Sequence, residues 1–188
     1  MNIDKFLEIT ALAEKLKNST RHCYTSDGRR ESVAEHCWRI SFMAMLLKDE
    51  FPDADIDKII KMCIIHDFGE AFTGDIPVFE KTEKDEQTEG NVLNEWLKTL
   101  PKPYDTEFIE LFNEMKKLET QEAKIYKALD GLEALIQHNE SDISTWLPLE
   151  YDLQLTYADD KVAFSPYFKE VREKVRFISK EKIEKVQE

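Results

Sequence analysis

The chain has 188 residues, of which 41% are hydrophobic and 35% charged, with a formal net charge of -13. That charge argues against a basic surface for nucleic acid, and no apolar run approaches the ~20 residues of a membrane span. Five glycines and six prolines among abundant Lys, Glu and Leu favour helix over sheet in a chain long enough for a substantial core.

The spacing predicts a first helix over residues 3–17, with Phe6, Leu7, Leu12 and Leu16 at helical intervals. A loop is expected over 18–31, marked by Ser, Thr and Asp27-Gly28. Arg21, Arg29 and Arg30 fall within ten residues of a chain with only six arginines, and read as an anion pocket or as a solvated basic loop. Ser32-Val33-Ala34-Glu35 matches a capping box, so a second helix starts at Ser32. Its apolar stripe is Val33, Cys37, Ile40, Ala44 and Leu47, and His36 lies on the same face. A third helix is expected over 56–68, followed by a structured loop through Gly69, Thr73-Gly74-Asp75 and Pro77. Helices over 83–100, 106–117 and 121–138 come next, with His138 at a helix end or on the surface. Leu147, Leu149, Tyr151, Leu153 and Leu155 alternate like a strand, but no partner strand is apparent, so a short helix is expected within 141–160. Ser165-Pro166 marks the start of a last helix running to about 183. The reading is an all-α bundle forming one domain, 1–188. Cys23, Cys37 and Cys63 make no CxxC, and the first residues lack the basic-then-apolar order of a secretory leader, so a cytoplasmic protein is expected.

His66-Asp67 closes the apolar run Ile59-Ile60-Lys61-Met62-Cys63-Ile64-Ile65. Unpaired imidazole nitrogens and a carboxylate would be costly there. They are satisfied either by backbone and water at a helix end or by a divalent metal, for which both are good ligands. His36 joins them if the second and third helices pack antiparallel. Glu70, four residues after His66 and three after Asp67, shares their side if the turn continues. Asp130, in Lys127-Ala128-Leu129-Asp130-Gly131-Leu132-Glu133, is either a fourth ligand or part of a solvated polar face.

His36, His66-Asp67 and Asp130, in that order, resemble the H…HD…D metal signature of the HD-domain phosphohydrolases. Glu31-Ser32-Val33-Ala34-Glu35-His36, His66-Asp67-Phe68-Gly69-Glu70, Thr73-Gly74-Asp75-Ile76-Pro77 and residues 124–132 are similar to one branch of that family. It holds the bacterial 5'-deoxynucleotidases and their eukaryotic HD-domain relatives, and the likeness covers roughly residues 5–180. The resemblance implies one divalent ion on His36, His66, Asp67 and Asp130, of the open six-coordinate kind (Mn, Co, Ni, Fe or Mg) rather than closed tetrahedral zinc. It implies hydrolysis of nucleoside 5'-monophosphates, foremost the deoxynucleoside ones, with Glu70 and Asp75 as the acid/base pair and Arg21 on the phosphate. Where the bacterial enzymes carry a tryptophan after that arginine, this chain has His22, a smaller polar ring that leaves room for a sugar 2'-hydroxyl. Lys81 is expected in solvent, the alternative being a contact to the phosphate. A homodimer is implied by resemblance alone. Competing readings are hydrolysis of alarmones, cyclic nucleotides or nucleoside triphosphates, and a non-catalytic scaffold held by its metal. Ala71 after Glu70 departs from the HDxxED segment of the alarmone hydrolases.

Overall fold

Side-chain caps set where most of the long helices begin. The structure, a computed structural model, describes residues 1–187. Helix α1 (Ile3–Glu14) starts behind Asn2, whose Oδ1 accepts from the Lys5 amide at 2.7 Å, and a single 3-10 turn extends it to Lys17. The expected loop instead contains a small antiparallel hairpin, β1 (Thr20–Tyr24) and β2 (Arg30–Ser32). Gly28, at φ 79°, makes the left-handed bend between them. These strands are too short to carry an alternation that a sequence reading could detect.

Helix α2 (Val33–Met45) begins at the expected capping box: the Glu35 amide donates to Ser32 Oγ, and the Ser32 amide donates to Glu35 Oε2 at 2.9 Å. Such a cap contributes about 1 kcal/mol. Helix α3 (Ile56–Ile65) starts at Asp55 and ends three residues earlier than expected. Tight bonds from the Phe68 amide to the Ile65 carbonyl and from the Glu70 amide to the Asp67 carbonyl, each 3.0 Å, turn the chain into a single-turn α4 (Glu70–Thr73). The break lies at His66-Asp67 and re-aims both side chains.

Helix α5 (Glu83–Leu97) is capped by Thr82, and α6 (Tyr104–Lys117) follows. Helix α7 (Gln121–Glu140) starts at Thr120 and is the central helix of the core. The ambiguous stretch forms α8 (Pro148–Thr156), as the missing partner strand suggested, and then the one-turn α9 (Asp159–Val162). Helix α10 (Pro166–Gln187) opens at Ser165, whose Oγ accepts from the Phe168 amide. The fold class is all-α with one two-stranded sheet. Among the described residues no helix is long and apolar enough to cross a membrane.

The core joins Ile40 and Ala44 of α2, Ile59, Met62 and Cys63 of α3, Ile125, Ala128, Leu129 and Leu132 of α7, and Phe168 of α10. Each large apolar side chain buried there is worth about 1.5–3 kcal/mol. Burial of these stripes presses the start of α2 against the end of α3, with α7 across both. Buried Arg172 ties the far wall together: its guanidinium donates to the carbonyls of Gln154 and Tyr157 at the end of α8.

Gly131 lets α9 come this close to α7. A Cβ there would lie 2.8 Å from the Cβ of Ala158 and 3.1 Å from Lys161 Cδ. Gly131→Ala gains about 1 kcal/mol of helix propensity but forces an overpacking worth about 1–3 kcal/mol. We expect a lowered midpoint in a thermal melt; an unchanged one would mean that α9 slides away at no cost.

Candidate active site

His36 comes from the first turn of α2, His66 from the C-cap of α3, Asp67 from the turn beyond it and Asp130 from the middle of α7. The packing brings all four together. His66 Nε2 lies 3.0 Å from Asp67 Oδ2 and 3.8 Å from Asp130 Oδ1. His36 Nε2 lies 3.3 Å from Asp130 Oδ1 and 3.8 Å from Asp67 Oδ2. Neither Nε2 has a partner in hydrogen-bonding geometry, although both are buried.

The opposite ring nitrogens are committed. His66 Nδ1 donates to the Cys63 carbonyl at 3.0 Å, and His36 Nδ1 bonds Glu133 Oε2 at 2.5 Å. These contacts fix the tautomer that leaves a lone pair on each Nε2, the arrangement of metal-bound histidines. Burial works against charge on both rings, and the facing carboxylates still pull both imidazoles upward from the ordinary histidine range. Burial likewise opposes ionisation of Asp67 and Asp130, yet His66 for the first and Lys127 with both histidines for the second hold them below the usual range. Two carboxylates facing two orphaned imidazole nitrogens call for a cation, and the donor set fits a divalent one.

The end-cap alternative for His66-Asp67 is thereby only half right, since backbone takes one nitrogen and leaves the other unpaired. The solvated-face alternative for Asp130 and Glu133 fails. Glu133 has no exposed surface, and Asp130 faces the cavity. Glu133 was missed as a site residue, although it lies on core spacing, four residues after Leu129 and eight after Ile125. It also stands 3.8 Å from both Arg21 Nη1 and Arg39 Nη1, so one buried carboxylate organises an imidazole and two guanidiniums.

A cavity of about 250 Å³ opens in front of Asp67 and Asp130. Arg21, His22, Glu70, Asp75 and Lys81 all line it. Burial disfavours the charge on Arg21, but Glu133, Cys23 and Glu31 outweigh that and keep it a cation. Its Nε and Nη1 are buried without a hydrogen-bond partner. Arg29 and Arg30 do not join it: both are exposed, Arg29 paired with Glu35 at 2.6 Å and Arg30 resting over the Tyr24 ring. The anion pocket is therefore Arg21 alone, because its neighbours face outward from the hairpin.

Glu70 is buried, and burial followed by Asp67, Asp75 and Glu89 pushes its carboxyl up to about 10. Burial also raises Asp75, with Arg21 pulling the other way. Lys81 departs from expectation: it is partly buried and pairs with Glu89 at 2.6 Å at the cavity edge. His138 departs further, being a buried residue of the cavity wall because α7 runs two residues beyond the expected end and α8 folds over it. His22 stacks edge-on against Phe79, with ring centroids 5.2 Å apart.

An HD-domain family model matches residues 13–172. The chain belongs to the HD-domain family. Among its relatives are two proteins named 5'-deoxynucleotidase HDDC2. The one from Dictyostelium discoideum is 29% identical over 182 residues, covering 92% of this chain and 90% of that protein. The one from Homo sapiens is 30% identical, covering 71% of this chain and 67% of that protein. A solved structure from Magnetospirillum magnetotacticum, described as a predicted metal-dependent phosphohydrolase, superposes with a TM-score of 0.78 at 26% identity over 96% of this chain and 91% of that one. A conserved hypothetical protein from Pyrococcus furiosus gives 0.69 at 31% identity, over 90% and 98%. Membership of the HD-domain family implies a divalent metal, which the two orphaned imidazole nitrogens fit.

Proposed function

We propose that this HD-domain protein hydrolyses nucleoside 5'-monophosphates, the deoxynucleoside ones foremost, to nucleoside and inorganic phosphate. The observation that carries this reading is that an orphaned His/Asp cluster and the Arg21 guanidinium, short of a hydrogen bond on two of its nitrogens, line one nucleotide-sized cavity. His36, His66, Asp67 and Asp130 hold one divalent ion of the Mn, Co, Ni, Fe or Mg kind. When bound, it polarises a phosphate oxygen and acidifies a water.

The chain's own residues do the rest. Arg21, which lines the cavity and also faces Glu31 and Glu133, offers its guanidinium to the phosphate, a job for which that planar group is suited. Asp75, beside Arg21 and opposite Asp67, takes the proton of the attacking water. Glu70, whose carboxyl is pushed upward by burial and by Asp67, Asp75 and Glu89, donates a hydrogen bond at the reacting phosphate and supplies a proton toward the leaving 5'-oxygen. Phe79, Val78 and His22 line the end of the cavity left for the nucleoside.

The test is phosphate release from matched deoxyribo- and ribonucleoside monophosphates after chelation and re-addition of single metals. Metal-dependent release is expected, and the deoxy/ribo ratio reports how His22 treats the 2'-position. No release from any monophosphate would overturn the reading. Glu70→Gln and Asp75→Asn are expected to stay folded by circular dichroism and to lose about 10²–10⁴-fold in rate. Full activity in both would leave the cluster a structural staple. The same reading includes a homodimer, in which a second copy covers the exposed Trp38, Phe42, Met45 and Leu46 of α2. A single-chain mass by light scattering would remove that part.

A further inference from the structure

The cavity wall carries a second cluster of metal-binding groups, about two helical turns along α7 from Asp130, and the proposed reaction uses none of them as metal ligands. His22 of β1, His138 of α7 and Glu150 of α8 bring two imidazole nitrogens and a carboxylate oxygen within 4.8 Å of one another. His138 and Glu150 are buried, and all three line the cavity.

His138 resembles His66 at Nδ1 and differs at Nε2, which here has a hydrogen-bond partner. His138 Nδ1 donates to the Ala134 carbonyl at 3.0 Å, so its Nε2 is the nitrogen turned toward the cluster. That Nε2 faces Glu150 Oε1 at 3.0 Å, the distance between His66 Nε2 and Asp67 Oδ2. With Nδ1 committed as a donor, Nε2 against a carboxylate needs a positive charge there, which a proton on the ring or a metal ion supplies. His22 Nε2 reaches the same Oε1 at 2.9 Å. The two ring centroids are 5.3 Å apart, as are those of His36 and His66.

Glu150 is held for the task. The Leu147 amide donates to its Oε2 at 2.6 Å, so Oε1 is the oxygen presented to the two histidines. Ligands about 2.1 Å from one tetrahedral ion lie about 3.4 Å apart, so the 2.9 and 3.0 Å contacts need to open by only a few tenths of an ångström to admit it. The third grouping of this kind, Glu31, His36 and Glu133, is different, because the Arg21 guanidinium already neutralises it from 3.7 and 3.8 Å.

We propose that His22, His138 and Glu150 form a second divalent-metal site, a two-histidine, one-carboxylate set that takes a borderline first-row ion such as zinc. Its remaining coordination positions open into the cavity. His138 is eight residues beyond Asp130 on α7, about 12 Å along the helix, so this ion is no partner in a two-metal centre of about 4 Å spacing. It stands instead at the nucleoside end, where it caps the cavity.

The experiment is equilibrium dialysis of the full chain against zinc, with bound metal counted by mass spectrometry. Wild type is expected to hold two zinc ions per chain, His22→Ala one, Asp67→Ala one, and the double variant none. One ion in wild type, or two retained in His22→Ala, overturns the proposal. His22→Gln replaces the alanine variant if circular dichroism shows the latter unfolded, and the wild-type count decides by itself in either case. The two readings fail separately: two ions without phosphate release keep the site and remove the nucleotidase reading, while activity with one ion does the reverse.

Discussion

Asp67→Ala is expected to abolish metal-dependent phosphate release while leaving the helices in place. Asp67 is the carboxylate nearest His66, and it also faces His36, so its loss removes one of only two acids opposing the orphaned Nε2 atoms. A bound ion supplies several kcal/mol of transition-state charge stabilisation, and each 1.36 kcal/mol is about tenfold in rate. The fall expected is therefore on the order of 10³-fold or more. It should come with lost affinity for manganese in a calorimetric titration. Asp67 is partly exposed and caps no helix, so the far-ultraviolet spectrum should not change. A variant that keeps its rate would move the catalytic centre away from this cluster. One that unfolds would favour the scaffold reading.

Glu133→Ala is expected to have the largest effect on stability. Its carboxylate is fully buried against the His36 imidazole and within 3.8 Å of Arg21 and Arg39. Burial alone would raise its pKa, but His36, Arg21 and Arg39 hold it below the ordinary glutamate range. Removing one partner from such a network leaves uncompensated buried charge, at a cost of about 3–5 kcal/mol. In a chain of this size that corresponds to a thermal midpoint lower by on the order of 10 °C. Glu133→Gln keeps the volume and can still accept from His36 Nδ1, so it should recover part of the stability. Its metal affinity should nevertheless fall by about 10–100-fold, the usual consequence of weakening the group that orients a ligating histidine. Wild-type melting in the alanine variant, or wild-type metal affinity in the glutamine variant, would show that Glu133 does not organise the site.

The two variants separate roles that the geometry joins. Asp67 faces the cavity and should matter to rate and metal with little effect on folding. Glu133 lies behind the histidine and should matter to both. A loss of activity without a loss of metal in Asp67→Ala would point to the phosphate rather than the ion as the group it serves.

Much of this was legible in the chain itself. The caps at Ser32 and Ser165, the apolar stripes and the stop near His138 are local features, set by side chains three or four residues apart on one helix. The order His36, His66-Asp67, Asp130 was legible through its resemblance to the HD-domain signature, since the spacing of Asp130 by itself fits a solvated face equally well. The hairpin that carries Arg21 was not: a five-residue strand paired to a three-residue one is too short to show a period. Nor was the break after Ile65, where an apolar pattern continues through Phe68 while the backbone turns away to aim His66 and Asp67.

What the sequence by itself determined is the set of helices and the donors they carry; what the tertiary structure alone decided is which polar groups lost their water. His138 and Glu150 look like ordinary helix-surface residues in the chain, and Glu133, though on core spacing, shows nothing there of the partners it meets. They became part of the site because α2, β1 and α8, distant in sequence, closed over α7. The cost of leaving a buried polar atom unpaired depends on what packs against it from other elements, and no local spacing encodes that.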